Sequence, residues 1–330
     1  MKVAIVILNW NGKDLLEKFL PSVVEFSNEA TVYVADNAST DNSVSFVSEN
    51  FSTVKIIQNK LNGGYAKGYN DALKNLSEEI FILLNSDVEV TVNWLKPVLS
   101  EFEKNNSIVA AQPKILDYKN KEYFEYAGAA GGFIDKYSYP YCRGRIFNTL
   151  EKDEGQYNDV SEIFWASGAC LFVKAQAFWE VGGLDEDYFA HQEEIDLCWR
   201  LHSKGGKIFY VGASKVYHVG GATLAALNPK KTFYNFRNSL LNLLKNAKGV
   251  STFSSIFVRM VLDGIAALQF LVQGKPKHFF AIVKAHFSFY GLLPKFLKKR
   301  KKFASNLKYF KIKSIVFQHY ILKKKHFGKL

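Results

Sequence analysis

The chain has 330 residues, 48% of them hydrophobic and 22% charged, which suits a large folded core and excludes a disordered or disulfide-stapled protein. Its net charge of +12 is segregated: residues 241–330 carry 19 of the 43 Lys and Arg and one acid, Asp263, while residues 1–240 carry 24 basic and 30 acidic residues. An acidic body with a basic tail calls for an anionic partner at the tail, and three cysteines without paired spacing (Cys142, Cys170, Cys198) fit a reducing compartment.

The N-terminal "MKVAIVILNWNG" reaches Asn9 too soon for a signal peptide and reads as a first strand, Val3–Leu8. Short β-branched runs then alternate with helical patterns, which predicts a parallel sheet with crossover helices. Further strands are expected over Thr31–Ala35, Val54–Gln58, Ile80–Leu84 and Ile108–Gln112, with helices over Asp14–Phe26, Asn42–Asn50, Tyr65–Ser77 and Val92–Lys104. Polar residues gather at the carboxyl ends of these strands, the edge where open α/β sheets bind ligands. From Lys114 to Asp159 the chain is aromatic, Gly-rich and irregular, as a functional loop or small subdomain would be. A strand over Ile163–Val173, helices over Ala175–Val181 and Glu193–Lys204, and two strands, Lys207–Val211 and Lys215–His218, are expected next, followed by a mostly helical basic region beyond Pro229. The longest apolar stretch, Ile256–Val272, contains Arg259 and Asp263 and is short for a bilayer, so no transmembrane helix is expected.

Five stretches carry candidate chemistry. "YVADNASTDNS" puts Asp36 and Asn37 after a buried strand, where a carboxylate can accept from a base or ribose; Ser39, Thr40 and Asp41 read equally well as helix capping. "NGGYAKGYN" sets Gly63 and Gly64 before a helix start, with Lys67 and Asn70 toward the same edge, an arrangement that suits a phosphate or a plain turn. "LLNSDVEV" ends a strand on Asn85 and Asp87; a hard divalent cation needs a carboxylate of this kind, though Asn and Asp also end strands without function. "GGLDEDYFAHQEEIDLCWRL" packs six acids into twelve residues around an apolar loop, so at least one is a candidate base with a raised pKa. "KVYHVGG" ends a strand on His218, a second protein ligand for a metal that Asp87 alone would hold weakly, and Arg237 on a later helix offers a planar fork for a diphosphate.

Taken together and in this order, "VAIVILNWNG", "VADNASTDNS", "NGGYAKGYN", "LLNSDVEV", the "ASGACLFVKAQAFWEVGGLDEDYFAHQEEIDLCWRL" run and "KVYHVGG" resemble inverting family 2 glycosyltransferases, closest to the bacterial rhamnosyltransferase-like branch. The resemblance covers about residues 1–245 and implies an α/β GT-A fold, with residues 246–330 as a helical basic extension. It implies Asn9, Asp36, Asn37, Gly63, Gly64, Lys67, Asn70, Asn85, Trp165 and Arg237 at a nucleotide-sugar, and Asp87 with His218 holding Mg2+ or Mn2+. Glu194 stands at the second acid of the family's Glu-Asp pair and would be the general base, but Glu193-Glu194 replaces that pair and leaves the choice between them open. The implied activity is sugar transfer, best matched by rhamnose from dTDP-rhamnose, to a saccharide or lipid-linked saccharide in cell-surface polysaccharide synthesis. A UDP- or GDP-sugar donor, or a non-catalytic nucleotide-sugar-binding protein, are the alternatives. The tail, with Lys and Arg interleaved with Phe and Leu, is expected to meet a membrane surface rather than nucleic acid, which places the chain in the cytoplasm on the inner face of the membrane; a homodimer is left open.

Overall fold

The computed structural model describes residues 1–220 and 228–330. Alternating apolar and β-branched residues build a strand β1 (Val3–Asn9), followed by α1 (Lys13–Glu25), β2 (Thr31–Asp36), α2 (Ser43–Asn50), β3 (Lys55–Gln58), α3 (Gly64–Leu73), β4 (Ile80–Asn85), β5 (Val88–Val90), α4 (Leu95–Lys104) and β6 (Ile108–Asp117). Four strands of two or three residues come next: β7 (Gly132–Ile134), β8 (Pro140–Cys142), β9 (Arg145–Ile146) and β10 (Thr149–Leu150). The chain then forms β11 (Val160–Ile163), β12 (Cys170–Lys174), α5 (Ala175–Glu180), α6 (Glu193–Ser203), β13 (Lys207–His218), α7 (Pro229–Asn246), α8 (Ser251–Val272) and α9 (Pro276–Phe303).

The main sheet runs β11-β13-β6-β12-β4-β1-β2-β3, with β5 paired to β13. Its β4-β1-β2-β3 half is parallel, β12 runs antiparallel between β4 and β6, and β13 runs parallel to β6. Side chains alternate across each strand, so both faces need cover. Val3, Ile5 and Ile7 pack with α1 and α4 through Leu16, Leu20 and Val98. Ala4 and Val6 face the opposite cluster, with Tyr69 of α3, Trp199 of α6 and Leu240 of α7. Register sets Asn9 beside Asp36, Asp36 beside Gln58, and Leu8 beside Asn85, so the polar residues of four strands form one row at the carboxyl edge.

Three expectations are corrected. The predicted strand Ile163–Val173 is two strands, β11 and β12, because Ala166-Ser167-Gly168-Ala169 turns the chain and Ser167 N donates to buried Gln112 Oε1 (2.9 Å). The two strands expected over Lys207–His218 are one, with register shifts against β6 between Val211 and Lys215 that bend it toward β5. Length does not rule out a membrane span either, because α8 is 22 residues long with a mean hydropathy of 1.7 in its best window. Its start at Ser251 adds residues that the apolar run alone did not count. Charge is hidden rather than absent: Arg259 and Asp263 are buried, with Arg259 Nη1 donating to the carbonyls of Tyr137 (3.0 Å) and Ser138 (3.1 Å).

The irregular stretch after β6 is a four-stranded antiparallel sheet, β10-β9-β8-β7. Gly132 in β7 is required there, since a Cβ would lie 2.0 Å from the Trp165 ring. Chain past α9 lies across this sheet: Ile315 N donates to Asp135 Oδ2 (2.9 Å), and Phe327 stacks against Phe133 at 5.4 Å. The basic extension is therefore packed onto the body, with Phe289 and Phe296 of α9 buried in the same cluster as α7.

α7 buries a cation. Lys245 is 1% exposed and donates to Asp185 Oδ2 (2.6 Å) and Asp196 Oδ2 (2.9 Å), joining α7 to α6 and to the loop before it. Replacing one member of a buried ionic cluster leaves the others uncompensated. Lys245→Met is expected to lower unfolding stability in urea by ~3 kcal/mol, the low end of that class because Lys299 and Arg200 still face the two carboxylates.

Candidate active site at the carboxyl edge

Asn9, Asp36 and Asn37 are all buried at the ends of β1 and β2. Asn9 Nδ2 donates to Asp36 Oδ1 (3.3 Å) and Ser39 Oγ (3.2 Å), and Ser39 N donates to Asp36 Oδ2 (3.0 Å), while Asn9 Oδ1 has no partner. Asp36 is thus held in place by groups that also satisfy the turn, and the capping reading of Ser39 is accurate for part of the motif. Asn37 Nδ2 reaches Asn62 Oδ1 (3.0 Å) and Gly64 O (3.2 Å), which brings the glycine loop to the same edge. Gly64 has φ +79°, and a Cβ there would lie 2.7 Å from Phe189 O, so only glycine lets the two loops touch. Lys67 pairs with Asp71 (2.9 Å), and Asn70 bonds Leu184 through both its amide groups (2.8 and 3.0 Å). Both residues lie at this edge, but Asn70 braces a loop. Trp165 is buried under the small sheet, its Nε1 donating to Phe133 O (3.0 Å), and is not brought to the edge.

Asp87 and His218 meet across β5 and β13. His218 Nε2 is 3.1 Å from Asp87 Oδ1 and 3.4 Å from Asn85 Nδ2, with Asp87 and His218 each about 95% buried or more. The 3.1 Å separation is that of a hydrogen-bonded ion pair, and among the described residues no three His, Cys, Asp or Glu side chains converge as a metal site of their own; Asp87 and His218 are the two that would hold Mg2+ or Mn2+. Sequence reasoning missed the residue behind it: Glu125, 3% exposed, places Oε2 3.3 Å from His218 Nδ1, a buried nitrogen with no aligned hydrogen bond. Burial opposes a charge on His218, but Glu125 and Asp87 outweigh it and hold the imidazole up at about 10 while no cation is bound. Glu125 lies in the irregular stretch, where spacing carries no signal for it. Gly221 of the "KVYHVGG" motif lies outside the described residues.

The six acids of the 185–196 stretch separate by their partners. Asp185 faces Lys245 and Lys299, Asp187 faces Lys295 and Lys299 (2.6 Å each), and Asp196 faces Arg200 (2.7 Å) and Lys245. These cations outweigh burial and lower all three carboxyl pKa values. Glu186 sits near Asn70 Nδ2 (3.3 Å). Glu193 and Glu194 pair with no cation among the described residues. Burial, then the neighbouring Glu194, pushes Glu193 well up, and its Oε2 is orphaned. Half-buried Glu194 is raised by burial to about 7, although its own amide and those of Gln192 and Ile195 counter the shift.

The loop that delivers them is strained. Phe189 (φ 65°), His191 (67°) and Gln192 (74°) are non-glycine residues in the left-handed region, at a cost of about 1–3 kcal/mol each. α7 holds the strain: Asn238 Nδ2 donates to the carbonyls of Tyr188 (3.2 Å), Ala190 (3.0 Å) and His191 (2.6 Å), and Arg237 Nη2 to those of Asp187 (3.3 Å) and Tyr188 (3.0 Å). Arg237 therefore acts on the loop backbone. Tyr65 joins the two halves of the site: its N donates to Phe189 O (3.0 Å) and its Oη to Gly168 O (2.7 Å), beside the Ala169 carbonyl that accepts from Asn85 N (3.0 Å).

A family model described as Glycosyl transferase family 2 matches residues 4–182. The N-acetylglucosaminyl-diphospho-decaprenol L-rhamnosyltransferase of Mycobacterium tuberculosis is 26% identical over 229 residues, covering 65% of this chain and 75% of that protein. Among solved structures, GalNAc-T7 with UDP, GalNAc and Mn2+ superposes with a TM-score of 0.59 at 18% identity, over 74% of this chain and about half (48%) of that one. A mannosyltransferase of Pyrobaculum calidifontis with GDP-Man and Mn2+ gives 0.53 at 13% identity, over 91% and 84%. These structures share the GT-A fold seen here.

The site predicts a graded loss of cation binding. Calorimetric titration of the purified chain with Mn2+ and a nucleoside diphosphate should show no metal-dependent heat for Asp87→Ala. Glu125→Gln, which keeps the shape but not the charge behind His218, should weaken Mn2+ about 10–100-fold. Equal Mn2+ affinity in Glu125→Gln and wild type would reduce Glu125 to a structural acid.

Proposed function

The chain belongs to glycosyl transferase family 2, and on that premise we propose that it transfers L-rhamnose from dTDP-rhamnose to a lipid-linked saccharide with inversion at the anomeric carbon, in cell-surface polysaccharide synthesis. The observation that carries this reading is the sorting of acids: Asp87 paired with His218, and Glu193 and Glu194 paired with no cation among the described residues. The M. tuberculosis relative supports the sugar and the acceptor class, since its name specifies L-rhamnosyl transfer to a diphospho-decaprenol-linked sugar. A UDP- or GDP-sugar remains the alternative donor, as the two structural neighbours bind UDP and GDP-Man.

In this mechanism Asp36 accepts from the base or ribose, and the Gly63-Gly64 turn lets the backbone approach the donor. Bound between Asp87 and His218, Mg2+ or Mn2+ would neutralise charge on the diphosphate. Glu194, the more accessible of the pair, takes the proton from the acceptor hydroxyl. The acceptor oxygen then bonds to the anomeric carbon as the bond to the diphosphate oxygen breaks, so one displacement inverts the configuration and releases the nucleoside diphosphate. Glu193, whose carboxyl burial and Glu194 push well up, adds less like charge beside the base than a free carboxylate would.

The base must be ionised, so kcat/KM should fall as pH drops through about 7, the Glu194 value. Glu194→Gln should lower kcat about 10²–10⁴-fold and abolish that acidic limb, while donor affinity by thermal shift stays near wild type. Proton NMR of the product should give the anomeric configuration opposite to the donor's. A retained configuration, or no nucleoside diphosphate release from dTDP-, UDP- or GDP-sugars with lipid-linked acceptors, would overturn the proposal.

A further inference from the structure

The polarity of α8 is inverted. Its buried stripe holds Thr252, Ser255, Arg259 and Asp263 beside apolar Ile256 and Ala267, with Arg259 Nε on Asp263 Oδ1 (2.7 Å), Tyr139 Oη on the same oxygen (2.8 Å), and the guanidinium 3.7 Å from the Tyr139 ring. Its outward stripe is apolar: Phe253, Phe257, Val261, Ile265 and Leu268 recur every three or four residues and are exposed, Phe257 at 69%. Helices on a water-facing surface show the opposite arrangement, with the apolar stripe inward. α9 runs antiparallel beside it, with His278 stacked on Phe270 at 4.9 Å and Tyr290 Oη 3.3 Å from Met260 Sδ. It adds exposed Phe280, Phe287 (72%) and Tyr290 to the hairpin. So many exposed large apolar side chains gathered on one helical hairpin mark a docking surface.

We infer that this face of the α8–α9 hairpin is a membrane-docking surface that inserts into the interfacial layer of an anionic bilayer. Charge selects the occupant. Exposed Lys275, Lys277 and Lys284 border the apolar residues, and the only acid in residues 241–330, Asp263, is buried beneath them. A second copy of the chain would bring an equally basic surface against this one, whereas anionic headgroups complement the lysines and acyl chains accept the aromatic stripe. Nucleic acid would pair with the lysines but leave the apolar stripe in water. Although α8 is long enough to span, its Arg259–Asp263–Tyr139 contacts tie one side to the body, so it lies in the interface plane.

The surface is wired to the active site by one helix. Thr232 Oγ1 on α7 is 2.8 Å from His278 Nδ1 of α9, and Tyr234, two residues on, stacks on Phe189 at 5.7 Å, in the loop that precedes Glu193. Docking there would bring the site to a lipid-linked acceptor; that purpose rests on the proposed transfer reaction, while the surface itself does not.

Flotation of the full chain with phosphatidylcholine vesicles, with and without phosphatidylglycerol, tests the inference without any assay of catalysis. Wild type should float with the anionic vesicles, weaken in high salt, and bind neutral ones far less. The double variant Phe257→Gln/Leu268→Gln should bind at least 10-fold more weakly, with an unchanged melting temperature and unchanged release of nucleoside diphosphate with a short water-soluble acceptor. Wild type left at the bottom of the gradient, or a double variant that floats equally well, would overturn the proposal. So would sedimentation showing a dimer that the double variant dissociates, since a second copy would then cover the face, or protein from membranes that resists alkaline carbonate extraction, since α8 would then span. Lost transfer with intact flotation would instead count against the proposed reaction.

Discussion

Lys245 is the constraint on which the active-site arrangement depends. It is buried between Asp185, within the loop after α5, and Asp196, in the first turn of α6. Everything between those carboxylates, including three residues in the left-handed region and the Glu193-Glu194 pair, is strung across one fixed cation. A free loop of this length would relax Phe189, His191 and Gln192 into commoner conformations. Pinned at both ends, and with its carbonyls taken by Arg237 and Asn238, it keeps them strained and fixes the backbone that leads into α6. Lys295 and Lys299 of α9 add a second tie at Asp185 and Asp187, so the basic extension takes part in shaping the loop.

The same arrangement explains how six acids in one short stretch divide into structural and chemical groups. Carboxylates facing lysines and an arginine ionise readily and become fasteners. Two that share a half-buried helix start with no cation have raised pKa values, and proximity to each other raises Glu193 further. Helix N-terminal amides offset part of the cost for Glu194, which leaves it near neutrality and able to exchange a proton. In the proposed reaction the Glu-Glu pair would act through the carboxyl nearer neutrality, Glu194, with Glu193 raised further beside it.

The sheet was legible wherever hydrophobic alternation was decisive: β1, β2 and β4 begin and end within a residue of their predicted spans, and Asp36, Asn85 and Asp87 stand at the edge expected of parallel strand ends. Local pattern failed where tertiary contacts decide. The turn at Ser167 interrupts an apolar run because buried Gln112 takes its amide, and nothing in the run itself signals that. Trp165 and Arg237 carry chemistry suited to a ligand, yet one fills the space above Gly132 and the other binds loop carbonyls. Glu125 was invisible for the opposite reason, since its meaning comes only from a histidine 93 positions away that the fold places against it.

The extension shows why a charge count alone misreads an element. Nineteen cations with one acid suggested a basic surface, and the basic surface exists, but the one acid and Arg259 turn inward to form a polar seam with Tyr139. Burying that seam frees the rest of α8 to be apolar outside, so the strongest feature of the extension is the stripe the cations surround. A helix that buries its Arg259–Asp263 ion pair and exposes phenylalanine suits the less polar medium proposed for its outer side. On the proposed docking, the lysines at the hairpin turn would set the depth: they need headgroups and water, so they would hold the stripe at the interface.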